Sequence, residues 1–302
     1  ARRDGRFVFA SEMKALAAYD GHQAPIDPEG LLASLHHFGV PAPLTVRKGV
    51  FQLEPASWLE VDLAAGTEAS RRYWRWTPRP EIDDSAVAAA ELWETLVKSV
   101  ERHLVSDVPV GLFLSGGIDS SLVAAACAEA GMKPVCFTLA LDDPARDESP
   151  MAALLCRHFG LAHEIERMDD ADARPFDVRL AAMFDEPFAV SSALTTAAIS
   201  ARASRRFKVM LSGEGGDELF GGYSWYRRWI ETYGPEGRRR SQSSFAHALA
   251  RIGRRRAPPE DPLAGYADFV SAFRPEALRR LFSPEFLAGR TQADPAAAYS
   301  AI

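Results

Sequence analysis

The sequence predicts an α/β fold, a doubly wound parallel sheet, because apolar strand-like runs alternate with helical segments through its second half. The first run, Val110 to Leu114, breaks into a glycine turn and continues as a helix. Further runs lie at residues 134–139, 163–166 and 207–211, each after a segment of helical spacing. Strands in this order pair in parallel between two layers of helices, and ligands bind beyond their carboxyl ends.

The helices around these strands are predicted from apolar spacing and from capping residues. Ser85 is expected to cap a helix in which Leu92, Leu96 and two later apolar residues recur every four positions. Two further helices are expected over residues 149–159 and 194–206. They would cover the strands that precede and follow them.

A change in composition between residues 65 and 85 predicts the domain organisation. This segment is rich in Gly, Pro, Arg and Trp, as connections between domains often are. We expect a first domain over residues 1–66, a linker over 67–84 and a second domain over 85–302. The first domain contains shorter elements, which we predict as helices over 11–18 and 28–36 and a strand over 58–63. Because the chain starts without Met and ends without an evident terminating element, we expect a piece of a longer protein.

The composition predicts a globular cytoplasmic protein. Hydrophobic residues make up 47% of its 302 residues, yet no run approaches the roughly 20 apolar residues that span a bilayer, and no secretory signal opens the chain. The net charge of −6 argues against a nucleic-acid surface. Cys127, Cys136 and Cys156 lack metal-ligand spacing, so we expect reduced core thiols. The sequence leaves the oligomeric state open and is compatible with a homodimer.

The glycine turn after the first strand has the features of a phosphate site. Gly116 and Gly117 permit a tight turn whose amide hydrogens converge on an anion. Ser120 or Ser121 is expected to cap a helix that begins at Leu122 and directs its positive end at the same point.

The full string SGGIDSS, Ser115–Ser121, narrows this prediction to one kind of nucleotide site. It has neither the Gly-Lys-Ser/Thr of the P-loop nor the G-x-G-x-x-G pattern. It is instead the pattern of the pyrophosphate loop of ATP pyrophosphatases, which cleave ATP between the α and β phosphates. Asp119 would repel a bare phosphate, so its presence indicates a divalent cation, and Mg²⁺ is the expected ion. The alternative is an ordinary glycine-rich turn between strand and helix.

A second glycine-rich segment, Ser212–Tyr223, follows the fourth predicted strand. Its carboxylates Glu214, Asp217 and Glu218 are costly to place together unless a metal, a cation or a transferred proton accounts for them. We expect Asp217 to join Asp119 on phosphate-bound Mg²⁺, and Glu214 to act as a general base or acid at the reacting carbonyl. Its glycines would let the backbone approach a ligand. An acidic N-terminus for a helix from Glu218 onward explains the last two carboxylates but not the glycines.

Five motifs, in order and spacing, resemble the glutamine-dependent asparagine synthetases. They are FASEMKAL, RYW, VPVGLFLSGGIDSS, DEPFAVSSAL and LSGEGGDELFGGY. The resemblance implies a glutaminase domain of the N-terminal-nucleophile type, of which residues 1–66 are the last part, before a synthetase domain of the ATP-pyrophosphatase type. It also implies the substrates aspartate, ATP and ammonia or glutamine. The aspartate side chain is adenylated, pyrophosphate leaves, and ammonia attacks to give asparagine and AMP.

The same resemblance implies roles for individual residues. Leu114 and Leu139 contact the adenine nucleotide at the ends of two strands, and Ser212 and Gly213 meet it from the other side. Leu139 is equally well explained as a core residue. Glu214 matches the glutamate associated with forming and consuming the adenylate. The residues implied to hold pyrophosphate and metal are Ser115, Gly116, Gly117, Asp119, Ser120 and Ser121.

The chain also departs from the family pattern. No cysteine lies near the amino terminus, where the family has its nucleophile, so we expect this chain to use ammonia at most. No lysine follows Lys208, although the family uses one well downstream of the acidic loop. Ala56 and Ala140 stand where glycine is usual. The segment 185–187 resembles a substrate-side loop, and a turn with a helix cap explains it nearly as well.

Two alternatives to aspartate amidation remain open at this point. One is a related adenylating amidotransferase or β-lactam synthetase that acts on another carboxylate. The other is an inactive relative that binds a nucleotide. Both alternatives share the predicted nucleotide loop. The first differs from aspartate amidation in the carboxylate that it amidates, and the second differs because it binds the nucleotide without turnover.

Overall fold

The computed structural model describes residues 1–3, 5–20, 24–77, 81–168, 180, 182–190, 192–234 and 262–293. The chain forms two compact units. Unit 1 comprises Ala1–Thr77, Ala181–Val190 and Ser224–Ile302, and unit 2 comprises Pro78–Leu180 and Ser191–Tyr223. This division is not contiguous in sequence, and it differs in that respect from the predicted domains 1–66 and 85–302. Among the described helices, none combines the length and the hydropathy that a membrane crossing requires.

The amino-terminal part of unit 1 consists of two hairpins with two helices between them. Its elements are β1 (Arg2–Arg3), β2 (Arg6–Phe7), α1 (Met13–Asp20), α2 (Pro28–His37), β3 (Ser57–Asp62) and β4 (Thr67–Arg72). β3 and β4 pair in antiparallel register from Ser57 opposite Arg72 to Asp62 opposite Thr67. The predicted linker 67–84 therefore begins with a strand, because the turn at 63–66 folds it back onto β3.

Unit 2 alternates strands and helices, as predicted. Its elements are α3 (Ser85–His103), β5 (Val110–Phe113), α4 (Ile118–Glu129), β6 (Val135–Leu141), α5 (Ser149–Phe159), β7 (His163–Met168), α6 (Ala193–Ala203), β8 (Val209–Leu211) and α7 (Gly216–Phe220). The described part of unit 1 then continues with α8 (Ser224–Tyr233), α9 (Pro262–Val270), α10 (Pro275–Leu281), α11 (Pro284–Leu287) and a 3₁₀ turn (Thr291–Ala293).

The sheet of unit 2 has the strand order β7-β6-β5-β8, and its neighbouring strands are parallel. Successive residues of a strand face opposite sides of a sheet. On one face, Leu112 and Cys136 are buried with residues of α4 and α5. On the other face, Phe137 is buried with Ala203 of α6 and with Phe207. The sheet is therefore covered by helices on both faces, and the predicted doubly wound α/β fold is confirmed.

The ends of three predicted helices differ in the structure. α3 is capped by the Asp84 carboxylate, which accepts from the backbone amides of Ala86 and Val87, so Ser85 is its first residue and not its cap. α4 begins at Ile118, four residues before the predicted Leu122, and neither Ser120 nor Ser121 caps it. α7 begins at Gly216 and spans five residues. In the last two cases the glycine turn is tighter than predicted and the helix starts within the motif.

The three cysteines are free and buried. Burial raises the pKa of the Cys127 thiol to about 11, and it also raises the pKa values of Cys136 and Cys156. These groups remain protonated thiols near neutral pH and serve as small apolar core residues.

Candidate active site

Two glycine-rich loops follow the neighbouring strands β5 and β8 and line one cavity of about 360 Å³ in unit 2. We call Ser115–Ser121 the serine loop and Ser212–Tyr223 the acidic loop. Most of the residues singled out in the sequence line this cavity: Leu114, Ser115, Gly117, Asp119, Ser120, Leu139, Ser212, Gly213, Glu214 and Asp217. Gly116 and Ser121 are not among its lining residues.

The serine loop is held by hydrogen bonds among its own residues. The Ser115 and Ser120 hydroxyls lie 3.0 Å apart, and the Ser115 amide donates to Ser120 Oγ at 3.3 Å. The Gly117 amide donates to Ser115 Oγ at 3.2 Å. Both serine hydroxyls are therefore engaged inside the loop, and these bonds support its shape.

Gly116 and Ser121 support the loop from behind. Gly116 has a φ of +86°, and a Cβ atom there would lie 3.1 Å from the Glu148 carbonyl oxygen and 3.2 Å from the Ala152 amide nitrogen. The loop thus lies directly against the start of α5, and glycine is required for that approach. The Ser121 hydroxyl donates to the Gly117 carbonyl at 2.6 Å, one helical turn back.

The two loops are in direct contact through glycines of the acidic loop. A Cβ atom at Gly213 would lie 2.6 Å from the Ser120 amide nitrogen. A Cβ atom at Gly216 would lie 2.5 Å from the carboxyl carbon of Asp119. The absence of a side chain at these two glycines thus lets the acidic loop lie against the serine loop. This contact places the Asp119 carboxylate against the start of α7.

The acidic loop brings Glu214, Asp217 and Glu218 to the cavity wall. Tyr223, the last residue of the loop, donates its hydroxyl hydrogen to Glu218. This hydrogen bond, burial and the charges of all three carboxylates raise the pKa of Tyr223 to about 12. The phenol therefore stays protonated near neutral pH and acts as a donor.

The donor set can be tested against the predicted Mg²⁺. Mg²⁺ prefers oxygen ligands and usually binds proteins through one or two carboxylates together with phosphate oxygens and water. Asp119 and Asp217 both line the cavity and supply oxygens of this kind. Within the described ranges, no group of three or more His, Cys, Asp or Glu side chains is arranged to hold a metal ion. The residues therefore fit a cation that is shared with a phosphate, and not one held by protein alone.

The end of β6 presents a backbone edge to the cavity. The Cys136 amide donates to Ala162 O at 2.8 Å, toward β7, whereas Phe137 O accepts from the Leu114 amide at 3.0 Å, toward β5. Since the two sides alternate along a strand, the N–H and C=O of Leu139 face the β5 side. The β5 ladder ends at Phe113, so these groups lie beyond its last residue pair. A purine base carries donors and acceptors that match such an edge.

A buried hydrogen-bond chain that no sequence pattern predicted lies beneath this edge. Thr138 is 2% exposed, and its hydroxyl donates to the Leu114 carbonyl at 2.6 Å. Because that hydrogen is used, Thr138 Oγ1 accepts from His163 Nε2, which lies 2.8 Å away. Burial lowers the pKa of His163 and favours its neutral form. The chain fixes the carbonyl of Leu114, whose side chain belongs to the core.

The turn after β6 supplies further lining residues that were not predicted. Arg146 and Glu148 line the cavity, as do Thr195 and Tyr223. The positions of Arg146 and Glu148 in the loop after β6 could have indicated their role, because ligands of parallel sheets contact the loops that follow several neighbouring strands. Thr195 lies in α6, on a helix whose placement only the folded chain shows.

The segment 185–187 belongs to unit 1. The Asp185 carboxylate accepts from the Lys14 amide at 2.9 Å and pairs with its ammonium at 3.3 Å. Glu186 accepts from the Val46 amide at 2.7 Å and from Gln52 Nε2 at 2.9 Å. Burial raises the pKa of Glu186, while these hydrogen bonds oppose that shift. Both carboxylates join separate segments of unit 1, so the interpretation as a structural turn fits their contacts.

Two family models match this chain. Asparagine synthase matches residues 91–294, and the glutamine amidotransferase domain matches residues 1–74. Among curated relatives, a putative glutamine-hydrolyzing asparagine synthetase of Methanocaldococcus jannaschii is 30% identical over 220 residues, which is 72% of this chain and 43% of the relative. A putative glutamine-hydrolyzing asparagine synthetase of Mycobacterium tuberculosis is 32% identical over 259 residues, 81% of this chain and 39% of the relative.

The chain thus spans less than half the length of these relatives. The first family model nevertheless covers more than half of the chain and includes both loops of the cavity. Its match extends from α3 through the strands of unit 2. The chain belongs to the asparagine synthase family.

Proposed function

We propose that this chain catalyses the ATP-dependent amidation of aspartate to asparagine, as a carbon–nitrogen ligase. Aspartate would be activated as β-aspartyl-AMP with release of pyrophosphate, and ammonia would then displace AMP. The observation that carries this proposal is the contact of the serine loop with the acidic loop at one cavity, through Gly213 and Gly216. It brings the glycine turn after β5 and a group of carboxylates to the same cavity.

The nucleotide would lie across the ends of β5, β6 and β8. We assign the adenine to the edge formed by Leu114 and Leu139, whose backbone groups lie beyond the last β5–β6 pair. Ser212 and Gly213 would contact the nucleotide from the β8 side. The serine loop would hold the β and γ phosphates, since its amides and the N-terminus of α4 supply partial positive charge.

Mg²⁺ would be held by Asp119 and Asp217 together with phosphate oxygens. When bound, it would offset negative charge on the pyrophosphate. Asp119 is already positioned for this by its contact with Gly216, which fixes the carboxylate at the boundary of the two loops. Gly116 and Ser121 would contribute by maintaining the shape of the serine loop.

Glu214 would act on the second half of the reaction. A carboxylate is a poor electrophile until it carries a leaving group, and ammonia must lose a proton as it forms an amide. Glu214 lines the cavity, and its own amide donates to Ser212 Oγ at 3.4 Å, which leaves the carboxylate at the wall. We assign it the role of general base for that proton.

The domain boundaries predicted from the sequence also form part of this proposal. We propose that residues 1–66 are the last part of a glutaminase domain, that 67–84 connect the domains and that 85–302 belong to the synthetase domain. The ranges matched by the two family models support this division. Glutamine would supply ammonia in the longer protein. We also propose a cytoplasmic location, as suits a biosynthetic enzyme, and a homodimer stays a prediction.

The proposal is tested by supplying the purified chain with ATP, Mg²⁺, aspartate and ammonium. We expect aspartate-dependent release of pyrophosphate, with asparagine formed in equal amount, and loss of both when EDTA replaces Mg²⁺. Amino-acid analysis and a coupled pyrophosphate assay measure the two products. Pyrophosphate release only with another carboxylate would show a different acceptor, and ATP binding without turnover would show an inactive relative. Either result contradicts the proposal.

A further inference from the structure

The cavity of unit 2 carries a strong imbalance of charge. Its acidic lining residues are Asp119, Glu148, Glu214, Asp217 and Glu218. Among the described residues that line it, Arg146 alone is basic. A nucleoside triphosphate or a pyrophosphate ion would bring several further negative charges into this space. Carboxylates that line the same cavity repel the oxygens of a bound phosphate unless cationic groups lie between them.

Arg146 is carried by a turn that is fixed on both sides. The Arg146 amide donates to the Asp143 carbonyl at 3.0 Å. The following residue, Asp147, accepts from the amides of Leu141 at 3.4 Å and Ser149 at 3.1 Å. Hydrogen bonds from Ser149 are the main cause that lowers the pKa of Asp147, so its carboxylate remains ionised and keeps these contacts. The turn therefore joins the end of β6 to the start of α5 in one defined position.

The same turn lies beside the serine loop. Gly116 packs against the Glu148 carbonyl and the Ala152 amide. A Cβ atom at Gly116 would lie 3.1 Å from the carbonyl oxygen and 3.2 Å from the amide nitrogen. Arg146 precedes Glu148 by two residues, and both line the cavity that Ser115 and Gly117 also line. The turn that carries Arg146 thus lies beside the serine loop, and Arg146 lines the cavity that this loop also lines.

The Arg146 side chain is exposed, and in the described part of the chain its guanidinium takes part in none of the ion pairs or side-chain hydrogen bonds. An arginine stays charged at any pH near neutrality and can donate two parallel hydrogen bonds to one phosphate group. It is therefore free to bind an anion in the cavity without first breaking a contact of its own.

We propose that Arg146 binds the pyrophosphate that leaves during adenylation, a role that rests on the proposed nucleotide chemistry. As an oxygen of the substrate carboxylate attacks the α phosphorus, the bond from that phosphorus to the α–β bridging oxygen breaks. The electron pair remains on this oxygen, so negative charge grows on pyrophosphate. The guanidinium of Arg146, which lines the same cavity as the acidic loop, stabilises that charge.

Arg146→Gln tests this role, with Arg157→Gln as the matched control. Arg157 is exposed on α5 and does not line the cavity. Titration calorimetry with pyrophosphate and Mg²⁺ should show a dissociation constant raised about 10- to 100-fold in Arg146→Gln. AMP lacks the β and γ phosphates that Arg146 is proposed to bind. Its dissociation constant for Arg146→Gln should therefore lie within about twofold of the value for the unaltered chain. Arg157→Gln should leave both affinities unchanged, and Arg146→Lys should recover part of the loss.

The outcomes separate this proposal from the proposed function. If the unaltered chain binds pyrophosphate and AMP and Arg146→Gln binds both equally well, the role of Arg146 is wrong while the nucleotide site stands. The same conclusion follows if only the KM for the carboxylate substrate changes, since Arg146 would then bind the acceptor. An unaltered chain that binds neither ligand contradicts both proposals. Circular dichroism of the variants, compared with the unaltered chain, excludes loss of the fold as the cause.

Discussion

The two loops of the cavity are both rich in glycine and both follow parallel strands, yet they are built in opposite ways. In the serine loop, the hydroxyls of Ser115 and Ser120 bond to each other and to loop amides. In the acidic loop, the Ser212 hydroxyl accepts from the Glu214 amide, and Tyr223 donates to Glu218. The Ser115 and Ser120 hydroxyls are thus bonded within their own loop, while Glu214 and Asp217 of the acidic loop line the cavity and Glu218 accepts from Tyr223.

This difference indicates a division of labour. A turn that keeps its shape without a ligand can bind an anion with little loss of conformational entropy. A group of carboxylates held together is unfavourable by itself, which is typical of residues retained for chemistry and not for stability. Gly213 and Gly216 join the two, because only glycine allows the acidic loop to lie on Ser120 and Asp119. The loops should therefore respond differently to substitution.

The largest effect is expected at Glu214. Glu214→Gln removes the proposed base while keeping the size of the side chain, so asparagine formation should fall about 10²- to 10⁴-fold. The affinity for ATP should change by no more than about threefold, since the phosphates are assigned to the serine loop. Glu148→Gln alters another cavity carboxylate outside the acidic loop and should retain most activity. Asparagine formation by Glu214→Gln at the rate of the unaltered chain would contradict the assigned role.

A second test concerns the contact between the loops. Gly213→Ala forces a Cβ atom to within 2.6 Å of the Ser120 amide, where neither backbone can give way easily. We expect the free energy of unfolding to drop by about 1 to 3 kcal/mol. Gly117→Ala is the matched control, because a Cβ atom there meets only Ser115 Oγ at 3.3 Å and φ is −70°. Urea denaturation of both variants measures the difference. Equal losses would show that the loops do not depend on this contact.

The serine loop offers a smaller and more local test. Ser120 is 7% exposed, and Ser120→Ala leaves the Ser115 amide and hydroxyl without the oxygen they contact. The expected loss of unfolding free energy is about 1 kcal/mol. The Ser121 hydroxyl bonds only one turn back along α4, so Ser121→Ala should be neutral or slightly stabilising. Thermal unfolding of the two variants checks their order. A reversed order would mean that the Ser115–Ser120 contacts do not support the loop.

How far the sequence predicts this molecule depends on whether local signals suffice. The helix Ser149–Phe159 was predicted with its observed ends, because Pro150 lies in its first turn and Gly160 adopts the left-handed conformation at its end. The predicted parallel pairing of the strands also follows from alternation along the chain, whereas their order in the sheet was not predicted. Cavity residues within glycine motifs were found for the same reason. Each of these features is specified by neighbours in sequence.

Other features required contacts between distant residues. The Thr138–His163 hydrogen bond joins two strands whose register no local pattern specifies. The segment Ala181–Val190 lies between elements of unit 2 in sequence and yet belongs to unit 1, through contacts such as Lys14–Asp185. α4 was predicted to start at Leu122 but starts at Ile118. A serine that can cap a helix can equally lie inside the helix and donate to a carbonyl one turn back, as Ser121 does. Tertiary packing determines each of these outcomes.

The smallest effect is expected at Tyr223. It tests whether the hydrogen bond from Tyr223 to Glu218 supports the acidic loop. With a pKa of about 12 in the folded chain, the phenol stays protonated where ordinary tyrosines, near 10, ionise. Its bond to Glu218 contributes stability that is fully present below about pH 10 and is lost as pH rises through about 12. Absorbance titration of the unaltered chain and Tyr223→Phe should differ by one phenolate that forms near pH 12. Near neutral pH the variant should keep activity within about threefold, because the lost group is uncharged. Ionisation of this tyrosine near pH 10 would mean that the bond from Tyr223 to Glu218 does not support the acidic loop.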